Sequence, residues 1–207
     1  MIVKRLQAGV YAANCYIIHT EDGKGIVVDP AGDVEDIMSY ITAKGIRVDS
    51  IILTHGHGDH IGGVMELKNK LKIPVMVHSA DEDMVKNADL NLSTSMPIGD
   101  VSFKPDILLK DGEIILVGNK EIKIIHTPGH TRGGICILMD NILITGDTLF
   151  KGSIGRTDLY GGDFDMLIES IMSKLMVLAE ETKIYPGHGE DSTIGFEKKN
   201  NPFIRNL

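Results

Sequence analysis

Short apolar runs rich in Val and Ile recur along the chain and are bounded by Gly, Pro, Asn or Asp. This pattern is typical of β-strands. Nine strands are predicted, at residues 16–19, 25–29, 50–53, 74–78, 113–117, 121–125, 135–139, 142–145 and 183–185. The dipeptide Asp140-Asn141 lies between two of these runs and predicts the turn of a hairpin.

Helices are predicted between several of the strands, at residues 34–44, 62–71, 80–87 and 164–179. In the last of these, apolar residues recur with the 3.6-residue period of a helix. Early strands come with few helices, and strands and helices then alternate, which favours a layered α/β sandwich. Residues 89–104 show little periodicity and predict a long loop, of the kind that often lines a site.

Length and composition favour a soluble protein with one domain over residues 1–207. No run approaches the roughly 18–20 apolar residues that span a membrane, and the amino terminus shows no export signal. Cys15 and Cys136 lie in apolar surroundings, which predicts buried thiols and a cytoplasmic location. The formal net charge of −8 disfavours nucleic acid and anionic membranes as partners and favours a small-molecule substrate.

The segment 54–63 contains the densest group of chemically active side chains in the chain. It reads Thr-His-Gly-His-Gly-Asp-His-Ile-Gly-Gly and offers four candidate metal ligands, His55, His57, Asp59 and His60. His55 and His57 are two positions apart, about 200° on a helix, so they cannot share a helical face. A tight loop, which Gly56 and Gly58 permit, would direct both side chains inward.

Three further segments each combine an apolar strand, a turn and a candidate ligand, which is His130, Asp147 or His188. If these strands end at one edge, all seven candidate ligands converge there, where loops on a rigid sheet commonly carry function. Asp29 also ends a strand and is predicted to orient a histidine. The remaining histidines lack this pattern and are predicted not to bind metal: His19, His78 and His126.

Histidine and aspartate ligands without a suitably placed cysteine suit metals such as zinc, iron or manganese. These donors alone do not choose among the three metals.

The segments Thr54-His-x-His-x-Asp-His60, Gly129-His130, Thr145-Gly-Asp147 and Pro186-Gly-His188 resemble the metallo-β-lactamase superfamily. More narrowly, the chain resembles short glyoxalase II-like hydrolases, from about residue 11 to residue 202. The resemblance implies an αββα sandwich that holds two divalent metal ions at one edge of its two sheets, with zinc expected first and iron or manganese as alternatives. It further implies one metal bound by His55, His57 and His130, a second bound by Asp59, His60 and His188, and Asp147 as the bridge between them.

The resemblance implies a metal-dependent hydrolase of thioesters such as S-lactoylglutathione or related hydroxyacyl thioesters. A metal-bound hydroxide would be the nucleophile, and Asp59 would orient it and accept its proton. Full glyoxalase II enzymes carry a carboxy-terminal helical region that helps hold glutathione, whereas this chain stops soon after residue 203. Strong glutathione preference is therefore not expected. Asp147 differs from the cysteine of one major class of zinc β-lactamases, which disfavours antibiotic hydrolysis.

Two other functions remain open. The stretch Gly155-Arg-Thr-Asp158 resembles persulfide dioxygenases, which share the fold but oxidise a sulfur substrate with one iron. The segment 185–189 favours the hydrolase instead. A metal-binding protein without catalysis is the third hypothesis.

Arg156 has two interpretations. Its guanidinium binds a substrate carboxylate at two points, or it pairs with an acidic loop residue such as Asp158.

Overall fold

Two six-stranded β-sheets form the centre of the fold in the computed structural model, which describes residues 1–205. The first sheet contains β1 (Ile2–Ala8), β2 (Ala13–His19), β3 (Lys24–Val28), β4 (Arg47–Ile52), β5 (Val75–His78) and β6 (Ile107–Leu109), in that order. Neighbouring strands are antiparallel from β1 to β3 and parallel from β3 to β6.

The second sheet has the strand order β14-β13-β10-β9-β8-β7. Its members are β7 (Ile114–Val117), β8 (Lys120–His126), β9 (Ile135–Met139), β10 (Ile142–Gly146), β13 (Lys183–Pro186) and β14 (Ser192–Thr193). Only β10 and β13 are parallel neighbours among these described strands. A separate two-stranded ribbon, β11 (Leu149–Phe150) and β12 (Ser153–Ile154), follows β10.

The α-helices are short: α1 (Val34–Lys44), α2 (Gly58–Ile61), α3 (Val64–Leu71), α4 (Glu82–Val85), α5 (Phe164–Ser170) and α6 (Ile194–Asn200). One-turn 3₁₀ segments occur at Ser79–Asp81 and Ser93–Ser95, and a π-helical turn, Ile171–Leu175, continues α5. Within residues 1–205, no helix has the length and apolar character needed to cross a membrane.

Alternation along the strands divides the apolar residues among three buried clusters. Ile17 of β2 belongs to a cluster that also contains Ile37 of α1, on the outer face of the first sheet. Its neighbour Ile18 faces the other way and shares a cluster with Ile137 of the second sheet. A third cluster joins the outer face of the second sheet to α5 and α6. The layers are therefore helix, sheet, sheet and helix, which confirms the predicted αββα sandwich.

Both cysteines are buried, in different clusters. Burial raises the pKa of both thiols, that of Cys136 to about 11. The thiols therefore stay protonated near neutral pH and are poor nucleophiles. The predicted burial of Cys15 and Cys136 is confirmed.

All nine predicted strands are present, and the helix at 34–44 has the predicted bounds. The start of the helix predicted at 62–71 is wrong. Residues 62 and 63 separate α2, which ends at Ile61, from α3, which begins at Val64. The helix predicted at 80–87 ends early, because the Asn87 side chain accepts hydrogen bonds from the N–H groups of Asp89 and Leu90 and turns the chain. The helix predicted at 164–179 is α5 followed by the π turn. Five strands were missed. β1 is an edge strand with polar residues between its apolar ones, and the other four, β6, β11, β12 and β14, have only two or three residues each.

Candidate metal centre

The candidate ligands lie on loops that leave strands at one edge of the two sheets. The loop after β4 carries two of them, and the first turn of α2 carries two more. The other three follow β8, β10 and β13. The structure brings together all seven predicted residues: His55, His57, Asp59, His60, His130, Asp147 and His188.

The first group of ligand atoms belongs to three buried histidines. The ring nitrogens of His55, His57 and His130 lie within 4.8 Å of one another. His57 Nδ1 is 3.0 Å from His130 Nε2. His130 Nδ1 is 2.7 Å from the main-chain oxygen of Arg156, so an N–H at Nδ1 donates to that oxygen and leaves the Nε2 lone pair free. This arrangement suits His130 to binding a metal through Nε2.

The second group combines two histidines and a carboxylate. Ligand atoms of Asp59, His60 and His188 also lie within 4.8 Å of one another. His60 Nε2 is 3.2 Å from His188 Nε2, and His188 Nε2 is 3.3 Å from Asp59 Oδ2. His60 is fully buried, whereas His188 is partly exposed at the mouth of the site. The second group therefore lies closer to solvent than the first.

Asp147 lies between the two groups. Its Oδ1 is 3.4 Å from His60 Nε2, and its Oδ2 is 3.7 Å from His130 Nε2 and 3.8 Å from His188 Nε2. Gly187 makes this position possible, since a Cβ on Gly187 would lie 2.1 Å from Asp147 Oδ1. One carboxylate thus reaches both groups, as a bridging ligand must.

The cluster fits a pair of cations. Within residues 1–205, three of its buried atoms have no hydrogen-bond partner: His55 Nε2, His57 Nε2 and Asp147 Oδ1. Leaving a buried polar atom unpaired costs about 1–3 kcal/mol, which a bound cation would offset. Imidazole nitrogens and carboxylate oxygens are the donors that zinc, iron and manganese accept.

The protonation states of the first group favour metal binding. Burial lowers the pKa of His55 well below its usual value, and the neighbouring histidines lower it further. Burial and the charge of His130 lower the pKa of His57 to about 3. Both rings are therefore neutral near pH 7, which is the form that binds a metal.

The second group is more polar. Burial disfavours the charged form of His60, but Asp147, Asp29 and Asp59 outweigh it and raise the pKa of His60 to about 10. Burial would raise the pKa of Asp59, yet the hydrogen bond from His188 and the charge of His60 lower it overall. This part of the site therefore stabilises positive charge, whether a proton or a metal ion carries it.

Asp29 lies behind the cluster and contacts His60. Its Oδ1 accepts from the Thr54 N–H at 2.7 Å, and its Oδ2 accepts from the Thr54 hydroxyl at 2.6 Å. His60 Nδ1 lies 3.1 Å from the same Oδ2. These contacts place Asp29 where it can orient His60. Ligand atoms of Asp29, His55 and His60 also lie within 4.8 Å of one another, so the geometry by itself permits Asp29 to bind a metal as well.

Arg156 lies at the edge of the site with an exposed guanidinium. Its Nε and Nη2 donate to the two carboxylate oxygens of Asp158, each at 2.7 Å. Of the two readings of this residue, the structure shows the pair with Asp158. The main-chain oxygen of Arg156 meanwhile accepts from His130, a contact that does not depend on the side chain.

The other histidines lie outside the two ligand groups. His78 and His126 stack on each other, with ring centroids 3.9 Å apart. His126 Nε2 is 2.8 Å from the main-chain oxygen of Arg132. His19 Nε2 is 3.2 Å from the hydroxyl of Tyr40. None of the three belongs to a metal-binding group within the described chain.

The buried carboxylate of Asp81 connects the loops of the first group and was missed in the sequence. Its Oδ2 accepts from the Gly56 N–H at 3.0 Å and from the Thr131 hydroxyl at 2.8 Å, and its Oδ1 accepts from the Gly133 N–H at 2.6 Å. Gly56 separates His55 from His57. Asp81 follows strand β5 as the candidate ligands follow theirs, and that pattern could have identified it.

Asn14 was missed as well. This fully buried residue of β2 donates through Nδ2 to the oxygens of Pro186 at 2.9 Å and Gly189 at 3.1 Å, on both sides of His188. Its N–H donates to the Gly187 oxygen at 2.7 Å. An amide in an otherwise apolar strand was the signal available in the sequence.

An open cavity of about 310 Å³ adjoins the cluster. Its lining consists of Tyr11, His57, Asp59, Leu92, Met96, His130, Asp147, Arg156 and Leu159. A larger cavity of about 560 Å³ lies beside Met1 and Lys120 and contains no histidine. The smaller cavity is the candidate substrate site because it reaches the ligand cluster.

The fold and the two ligand groups define a class of metal-binding αββα protein. The chain belongs to the metallo-beta-lactamase superfamily, whose family model matches residues 8–188.

Two relatives indicate a metallo-hydrolase more narrowly. A probable metallo-hydrolase of Bacillus subtilis, YqgX, is 37% identical over 97% of this chain and 96% of its own length. The hydroxyacylglutathione hydrolase GloC of Haemophilus influenzae is 32% identical over 99% of this chain and 98% of its own length. The second relative supports the likeness to glyoxalase II.

Two solved structures are similar over almost their whole length. The BLEG-1 B3 metallo-beta-lactamase has a TM-score of 0.93 at 33% identity, covering 98% of this chain and 99% of that one. TTHA1623 in a di-iron-bound form has a TM-score of 0.87 at 32% identity, covering 98% and 100%. The second shows that a chain of this fold and similarity binds two irons.

Proposed function

We propose that this protein is a hydrolase with two divalent metal ions that cleaves thioesters, such as S-lactoylglutathione or related hydroxyacyl thioesters. The main observation behind the proposal is the geometry of Asp147, which lies within 4 Å of histidines from both ligand groups. The similarity to the Haemophilus influenzae hydroxyacylglutathione hydrolase supports the thioester part.

The chain's own residues have distinct roles in this proposal. His55, His57 and His130 would hold one ion, Asp59, His60 and His188 would hold the other, and Asp147 lies where it would reach both. Bound divalent ions would supply Lewis-acid chemistry, which lowers the pKa of a water molecule and polarises a carbonyl. Asp59 lines the cavity with an ionised carboxylate, so it can orient the attacking water. In the proposal the same carboxylate also accepts the proton of that water.

The proposal favours thioesters because of their leaving group. A thiolate leaves without a strong proton donor, whereas an amide nitrogen needs one. The cavity lining contains neither lysine nor a histidine outside the ligand groups. The amide bond is therefore the poorer substrate for this arrangement.

Metal content and substrate range test the proposal together. Metal-replete protein should hold close to two metals per chain. His188→Ala should lower this to one, and Asp147→Ala should weaken both sites. His126→Ala, outside the cluster, is the matched control and should keep both metals. The thioester activity should follow the metal content across these variants.

One tightly held iron under all loading conditions, with oxygen consumption on glutathione persulfide, would refute the hydrolase in favour of a dioxygenase. The substrate panel also needs a β-lactam, because BLEG-1, which is 33% identical to this chain, is described as a B3 metallo-beta-lactamase. β-Lactam turnover above thioester turnover would contradict the proposed substrate class. Metal content unaffected by both His188→Ala and Asp147→Ala would contradict the proposed ligands.

A further inference from the structure

The long loop at residues 89–104 forms one wall of the cavity. Leu92 and Met96 line the cavity together with the candidate ligands. The loop is attached to the ligand segment, because the Gly58 N–H donates to the Asn91 oxygen at 2.7 Å. A Cβ on Gly58 would lie 2.9 Å from Met96 Sδ, so this methionine packs directly on the turn between His57 and Asp59.

Internal hydrogen bonds hold this loop in place. Asn91 is fully buried, and its Nδ2 donates to the oxygens of Met84 at 3.2 Å and Val101 at 2.8 Å. Its Oδ1 accepts from the Ser93 N–H at 3.0 Å, and the Val101 N–H donates to Ser93 Oγ at 2.9 Å. The loop therefore presents Leu92 and Met96 from a fixed backbone rather than from a free segment.

Two further apolar groups line the cavity. Tyr11, which is 51% exposed, and Leu159 belong to two other loops. Within residues 1–205, Arg156 is the one Lys or Arg in the lining, and its guanidinium is paired with Asp158. Away from the candidate metal ligands, a substrate substituent with several charges would therefore find no unpaired counter-charge, whereas an apolar chain would be removed from water.

We propose that Leu92 and Met96 determine substrate specificity by binding an apolar chain attached to the scissile group. The inference rests on the proposed thioester hydrolysis and narrows its substrate class to thioesters with an unbranched apolar substituent, so that S-lactoylglutathione is expected to be cleaved less efficiently than such thioesters. This apolar chain is part of either the acyl group or the thiol of the substrate, and the experiment below distinguishes these two possibilities.

Two series of thioesters test the inference with the metal-loaded enzyme. One series lengthens the acyl chain from acetyl to hexanoyl on N-acetylcysteamine, and the other lengthens an alkyl thiol with the acyl group held as acetyl. In the series that lengthens the part of the substrate bound by Leu92 and Met96, kcat/KM should rise by up to about fourfold for each methylene buried. The rise should come mainly from a lower KM, as expected for uniform binding.

Two variants test whether the loop at residues 89–104 causes this dependence on chain length. Met96→Gln and Leu92→Asn should each reduce the ratio of kcat/KM between the longest and shortest substrates while leaving metal content near two. Leu92 has a φ of 67°, a left-handed conformation that asparagine tolerates well, so this variant keeps the backbone. Met65→Gln is the control for the methionine, since Met65 is exposed on α3 and does not line the cavity.

A binding measurement separates this inference from the proposed reaction. Calorimetry should show that metal-loaded wild type binds hexanoate more tightly than acetate and that Met96→Gln reduces this difference. If that result holds but no thioester is cleaved, the proposed reaction is wrong and the apolar site stands. Equal binding of the two carboxylates, or chain-length independence in both series, would overturn the specificity role of the loop.

Discussion

Replacement of Asp81 tests whether a carboxylate that binds no metal still determines metal affinity. Asp81→Ala removes the acceptor for three donors: the N–H groups of Gly56 and Gly133 and the hydroxyl of Thr131. Gly56 lies between two ligands of the first group, and Thr131 follows the third. The loops that carry the first group should therefore lose their common attachment.

The size of the effect follows from burial. Each buried donor left unpaired costs about 1–3 kcal/mol, so the three together cost roughly 3–9 kcal/mol. Burial also raises the pKa of Asp81, even though its three hydrogen bonds oppose this. The hydrogen bonds therefore do not fully offset the cost of burying the Asp81 carboxylate. Removing this carboxylate avoids that cost and reduces the net loss of stability. We expect Asp81→Ala to lower the free energy of unfolding by about 3–5 kcal/mol.

Asp81→Asn is the milder change. Its amide keeps one oxygen, but in either orientation its NH₂ group faces a backbone N–H, of Gly56 or of Gly133. We expect a loss of about 1–3 kcal/mol in stability. The affinity of the first metal should fall about 10- to 100-fold, as is usual when the groups that orient ligands are changed.

Chelator competition in the His188→Ala background measures the first site alone, and urea denaturation of the metal-free protein measures stability without ligand linkage. Asp106→Asn is the matched control. Asp106 also accepts a backbone N–H, from Val75 at 2.8 Å, and pairs with Lys68, but it lies outside the cavity lining. The Asp106→Asn variant should lose stability without losing metal affinity. Equal affinity losses for both variants, or none for Asp81→Asn, would refute the reasoning.

Three more predictions concern the second group and the stacked histidines. In Gly187→Ala, the new Cβ meets Asp147 Oδ1 and lies 2.8 Å from His60 Cε1, so metal content should fall. Gly45→Ala is the control for a purely backbone effect, because the left-handed φ of 61° strains alanine there while nothing lies within 4 Å of its Cβ, and it should keep its metal content. Asn14→Ala removes the one side chain that donates to main-chain oxygens on both sides of His188, although the Tyr16 hydroxyl still donates to the Pro186 oxygen at 2.6 Å. A metal titration should show the second site weakened about 10- to 100-fold. Burial and the charge of His126 lower the pKa of His78 from 6.5 to about 4. The unfolded chain therefore binds a proton first as pH falls, and metal-free wild type should lose more stability than His78→Gln between about pH 6.5 and pH 4, by urea denaturation at each pH. An equal pH dependence would show that His78 does not contribute.

The candidate ligands could be predicted from sequence because each signal is local. Each ligand follows an apolar run by a few residues, and β4, β10 and β13 all end at the same edge of the sandwich. The pattern of apolar residues determines the strands, and the parallel pairing of β10 with β13 places Asp147 beside Gly187 and His188. The grouping into two sets of three came from the family resemblance, since spacing does not determine which histidines meet.

The contacts of the supporting residues could not be predicted because the partners are distant in the chain. Asp81 binds groups that are 25 to 52 residues away, and Asn14 binds the oxygen of Pro186 across 172 residues. Asp81 follows a strand as the candidate ligands do, but that position does not identify the groups that donate to it. The loop at 89–104 is a similar case, because its buried Asn91 fixes it through oxygens of Met84 and Val101 rather than through secondary structure.

Arg156 shows that a residue type suited to substrate binding is weak evidence that its side chain binds the substrate. A guanidinium suits a carboxylate at two points, and the structure contains such a pair, but with Asp158 two residues away. The main-chain oxygen of Arg156 orients His130 whatever the side chain is. A Cβ on the preceding Gly155 would lie 1.8 Å from the main-chain oxygen of Asp147, so the backbone of this loop must pass close to the backbone of Asp147. The Gly-Arg-Thr-Asp stretch therefore positions the candidate ligand His130 through its backbone, and this role does not depend on which substrate is bound.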